Sequence, residues 1–92
     1  MEDLTILCDR IRVMLDQRHG APADDVEHTL TDGYARALAL EGERRRAEHR
    51  LQALAGNADH LDEQRALKSH LGGIDDQLAE LRRLLGVLAA TL

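Results

Sequence analysis

The sequence predicts an all-α protein: a long antiparallel, coiled-coil-like helical hairpin with a short N-terminal helix packed at its base. Three observations predict it. The 92 residues include one aromatic side chain, Tyr34, and few β-branched ones, so strands have little to build with. Apolar residues recur at helical heptad spacing through two long segments. Turn-forming residues cluster at two places only, "HGAP" at 19–22 and "AGNAD" at 55–59. A chain of this length makes a single domain, residues 1–92, with a thin hydrophobic core.

The first helix is expected over 2–18. Leu4, Leu7, Cys8, Ile11, Met14 and Leu15 share one broad face at helical spacing. Gly20 supplies a left-handed cap and Pro22 cannot continue the ladder. A second helix is expected over 24–55, with Asp24 as N-cap and Glu27 three residues later as its capping-box partner. Its seam runs Val26, Leu30, Gly33, Ala37, Leu40, Arg44, Ala47, Leu51 and Leu54, in alternating steps of four and three. Gly56 and Asn57 then tolerate left-handed geometry, and Asp59 caps a third helix expected over 59–91. That helix carries Leu67, Leu71, Ile74, Leu78, Leu81, Leu85, Leu88 and Leu92 in the same alternation. Two segments of this length joined by a short turn fold back on each other as arms of roughly 45 Å.

"LKSHLGGIDDQL", residues 67–78, sets two glycines inside the third helix. The heptad phase passes from Leu71 to Ile74 without a slip, which predicts one continuous helix. Each glycine costs it up to about 1 kcal/mol relative to alanine. With the turn centred on Asn57, Leu51 meets Gln64, Arg44 meets Leu71, Leu40 meets Ile74, and Gly42 falls level with Gly72 and Gly73. On that register the glycines either admit a partner helix, let the arm bend, or stand as tolerated defects. Alanine at Gly72 and Gly73 is accordingly expected to raise the melting temperature and weaken self-association.

A two-helix seam buries little, so a partner is expected. The first helix covers the base, where Leu30, Tyr34, Leu38, Leu84, Leu85, Val87 and Leu88 widen the apolar face, and Tyr34 is expected to fill a gap beneath it. The arm, 38–78, stays thin unless a second copy completes a four-helix bundle, which predicts a homodimer. Ile6 and Val13, seven residues apart, lie opposite the main apolar face of the first helix and are candidate contact residues. The acidic first third, including Asp24, Asp25, Glu27 and Asp32, suits a basic partner surface: residues 1–32 hold eight acids against three arginines.

The chemistry-bearing inventory is poor. The net charge is −5, and the arginines of "ERRRAEHR" (43–50) alternate with glutamates and lack an aromatic stacking platform, so nucleic-acid binding is not expected. Arg44, at a seam position, is expected to be half-buried and paired with Glu41, Glu48 or an acid of a second copy. No histidine follows a glutamate by three residues, the di-metal bundle signature, and "HLDE" at 60–63 is a weak ligand cluster. Ser69 is the only serine, and Cys8 lies on an apolar face. No enzyme activity, cofactor, metal or small-molecule substrate is predicted. The longest apolar stretch, "LLGVLAATL", is far short of the roughly 20 residues of a membrane span. With an unpaired cysteine, this suggests a cytoplasmic protein. The functional expectation is a small interaction or assembly module. The alternatives are a helical chaperone or regulator of a client protein, then a metal-binding bundle.

Overall fold

The computed structural model describes residues 3–17 and 21–92, and among them every regular element is helical. Helix α1 spans Leu4–Asp16, α2 spans Ala23–Leu54 and α3 spans Leu61–Ala89, with a 3-10 turn, Ala58–His60, leading into α3. The caps explain these limits. Asp3 precedes α1 and its carboxylate accepts from the Thr5 amide at 3.2 Å. Helix α2 starts after Pro22, without a side-chain cap, and Asp24 and Asp25 fall inside its first turn, where their charge complements the helix dipole. The capping box expected at Asp24 is therefore absent. Gly20, the expected terminator of the first helix, lies outside the described residues.

At the far end of α2, Gly56 alone takes a left-handed backbone, with φ of 77°. Asn57 stays extended, and its side chain accepts from the Asp59 amide at 3.1 Å, so Asn57 rather than Asp59 caps the next turn. Gln64 closes the junction: its Nε2 donates to the carbonyls of Leu54 and Asn57, each at 2.9 Å. The same carbonyls accept the backbone amides of Asn57 and His60, at 3.0 and 3.2 Å, so the Gln64 side chain adds a second donor to each and ties α3 to the turn. Helix α3 then runs unbroken through Gly72 and Gly73.

The two long helices pack along one another in opposite directions. Arg50 meets Glu63, Arg44 meets Asp75 and Glu41 meets Arg82, descending α2 as they climb α3. Both heptad series turn inward within the helices, whereas Leu92, the last of the α3 series, lies past the helix end and is 64% exposed. Val26, Leu30, Gly33, Ala37, Leu40, Ala47 and Leu54 of α2 are buried, as are Ile74, Leu78, Leu81, Leu85 and Leu88 of α3. Helix α1 adds Leu4, Leu7, Cys8 and Ile11, and Leu84 of α3 is buried with them. Burying one such leucine or isoleucine contributes about 1.5–3 kcal/mol.

Axial register differs from the expected one. Gly33 of α2 lies against Leu85, one turn beyond the Leu81 that the expected register sets opposite it; Gln64 likewise reaches the Leu54 carbonyl, and Arg44 reaches Asp75. Each contact is about one helical turn further along α3, ~6 Å. Gly42 is therefore not level with Gly72 and Gly73. Beyond Leu40 and Ile74 the core narrows to a two-helix seam in which Leu51, Leu67 and Leu71 are only partly buried. The molecule measures 57 × 21 × 17 Å, with a radius of gyration of 16.8 Å, against about 12 Å for a compact domain of this length.

Candidate functional site

The surface chemistry is organised by where α1 lies. It sits between the long helices at their base, and one arginine reaches each of them. Arg10 donates from Nη2 to the buried Thr29 hydroxyl of α2 at 3.0 Å and to Asp32 at 3.3 Å. Arg12 donates to Glu80 of α3 at 2.9 Å, and Arg83 donates to the same carboxylate at 2.8 Å. The Arg83 and Arg12 guanidinium groups together hold Glu80 down from an ordinary 4.5 to about 2. The folded-state value lies below the unfolded one, so this stabilisation is complete above the ordinary value. It is lost as pH falls from 4.5 towards 2. Glu80→Gln is expected to lower the urea midpoint at neutral pH, with its deficit against wild type shrinking across that acid window. Parallel midpoints for the two proteins over the whole window would contradict the linkage.

Two flanks of this base keep apolar side chains in water. On the α1 side, Ile6 and Val13 are 54% and 60% exposed. With Met14, Ala21 and Pro22 they line a groove of about 440 Å³ whose rim carries Asp9, Arg10 and Asp25. On the flank turned away from α1, Tyr34 and Leu38 are 51% and 66% exposed. Tyr34 therefore does not fill a gap beneath α1. A second groove, of about 430 Å³, lies between α2 and α3 there, with Leu85 as its floor and Gly86 and Arg82 on its α3 wall. An adjoining polar groove of about 410 Å³ shares Glu41 and Arg82 with it and adds Arg44, Arg45, Asp75 and Ala79. Compared with known protein families, curated proteins and solved structures, the chain matches none.

Arg44 is half-buried at the seam, where its Nε donates to Asp75 at 2.6 Å and its Nη1 to Glu48. Both partners belong to the same chain, one from each long helix. Arg50 likewise pairs with Glu63, so two arginines of the 43–50 cluster are engaged by carboxylates of the folded chain. A Cβ at Gly72 or Gly73 would meet nothing within 4 Å, and both residues are exposed. A Cβ at Gly42 would meet only arginine ends of its own helix. The glycine with a packing role is Gly33: a Cβ there would stand 2.3 Å from Leu85 Cδ2. Sequence reasoning placed Gly33 in the seam but gave it no part. A glycine at a heptad core position is the signal that finds it.

Among the described residues no group of three or more His, Cys, Asp or Glu is placed to hold a metal ion. No described helix is long and apolar enough to cross a membrane. Cys8 is buried, and its desolvation pushes the thiol up, away from thiolate chemistry.

Proposed function

We propose that the protein is a non-enzymatic protein–protein interaction module, a cytoplasmic coiled-coil hairpin that self-associates and presents its helical base to a partner. One observation carries the reading. Ile6 and Val13 on one flank, and Tyr34 and Leu38 on the other, remain half or more exposed around a core that is already filled. Exposed apolar side chains grouped along one groove favour a contact site, whereas scattered single ones are ordinary. The slender shape points the same way. The grooves are open channels along helices, suited to receiving another helix rather than to excluding water from a reaction.

A second reading, a chaperone or regulator of a client protein, is favoured by the α1 flank. Its apolar groove is edged by Asp9 and Asp25, with Arg10 on the rim held by Asp32, and the acidic edge suits an amphipathic helix with basic margins. The two readings are compatible, since they use opposite flanks. Sedimentation over a dilution series tests the proposal. A reversible dimer is expected at micromolar concentration; a folded monomer of 10.2 kDa throughout the series would overturn self-association.

A further inference from the structure

We infer that the groove turned away from α1 is where a second copy docks, with α2 of each protomer lying over α3 of the other. This rests on the self-association proposed above and names its surface. The α2 wall of the groove presents Tyr34, Leu38, Glu41 and Arg45, spaced four, three and four, so they form one continuous helix flank. The α3 wall presents Asp75, Ala79, Arg82 and Gly86 with the same spacing. Because the helices run in opposite directions, the two walls read in matched order along the groove.

That order is self-complementary. A two-fold axis parallel to the helices sets the α2 wall of one copy against the α3 wall of the other at the same height. Tyr34 then stands over Gly86, the aliphatic stem of Arg82 covers Leu38, and Arg45 meets Asp75. Tyr34 opposes a glycine, and at the far end Arg45 meets an anion, Asp75, that Arg44 of its own chain also holds. The Glu41–Arg82 ion pair, which spans the groove within one chain, lies near the centre and neutralises both walls there. A partner of strong single-sign charge therefore gains nothing from this surface, whereas a second copy does.

The exposed area fits the same occupant. The chain leaves 6201 Å² in contact with solvent. A compact monomer of its mass leaves about 5,300 Å². The excess, about 900 Å², is spread along the slender hairpin; it is of the size, roughly 800 Å², that each partner contributes to a standard interface, and side-by-side pairing along the hairpin would draw on it. A dimer through this face would also thicken the part of the molecule where the core begins to narrow.

The test compares three variants of the full chain by sedimentation, with circular dichroism as a check on the fold. Gly86→Leu fills the groove, yet a Cβ at Gly86 meets nothing within 4 Å, so the folded monomer accommodates the change. Leu38→Asp places a charge on a side chain that the monomer already exposes. The double variant Ile6→Asp/Val13→Asp alters the opposite flank. The expected result is a dissociation constant raised at least tenfold by Gly86→Leu and by Leu38→Asp, with helicity kept, and unchanged by the α1 variant. If the first two variants dimerise like wild type, or if only the α1 variant dissociates, this face is overturned while self-association stands. If wild type is monomeric at every concentration, both fall together.

Discussion

Replacing Gly33 by alanine is expected to lower stability by about 1–2 kcal/mol, although alanine is the better helix former. Helix propensity alone would favour the substitution by up to ~1 kcal/mol. Against it stands the 2.3 Å approach of Leu85 Cδ2 to the position of the new Cβ, with Leu85 Cγ at 3.2 Å. Leu85 is 2% exposed at the seam, so to admit the new atom its side chain must turn toward the groove that it floors and give up packing against α2. Overpacking of this kind costs about 1–3 kcal/mol and outweighs the propensity gain. For a domain of this size that is a fall in melting temperature of roughly 5–15 °C. Leu85→Val removes the clashing atom, so the double variant is expected to lose less stability than the sum of the two single changes. Urea midpoints of the four proteins close the cycle. A Gly33→Ala protein at or above wild-type stability would show that the two helices are not in this register.

That register is also where sequence reading stopped. The existence of three helices was legible because Leu, Ile and Ala recur every three or four residues, and a periodic apolar face has few ways to be buried other than as a helix. The same series identified the residues of the seam, down to the half-buried Arg44. How far one helix slides along the other is not written in either spacing. A slide of one turn preserves every inward-facing position, so Leu51–Gln64 and Leu54–Gln64 satisfy the pattern equally well. The choice is made by interlocking side chains, among them Leu85 against Gly33, and by the Gln64 amide closing on the Leu54 carbonyl. Neither is visible until both helices are in place.

The candidate surfaces were legible to different degrees for the same reason. Ile6 and Val13 stood out because they interrupt the polar face of a short amphipathic helix. Tyr34 and Leu38 did not, because widening the apolar face of α2 reads as a wider core. The core is wider only on the side that α1 covers, and one short helix cannot cover both. Leu30 and Leu84 go inside, whereas Tyr34, Leu38 and Val87 stay out.

Alanine at both Gly72 and Gly73 is expected to act in the opposite sense to alanine at Gly33, raising stability by about 1–2 kcal/mol. Both glycines lie inside α3 with helical backbone, and a Cβ at either meets nothing within 4 Å. No clash offsets the loss of unfolded-chain entropy, so the full propensity difference is realised. A rise in melting temperature of roughly 5–15 °C follows. The two positions separate once association is measured. Gly72 precedes Ala79 by seven residues and continues the flank of α3 assigned to the second copy, whereas Gly73 faces away from it. Gly72→Ala is therefore expected to combine a higher melting temperature with weaker dimerisation, and Gly73→Ala to show the first effect alone. Equal dissociation constants for the two single variants and wild type would leave Gly72 outside the contact. A melting temperature unchanged by the double substitution would mean that α3 is not helical through this pair.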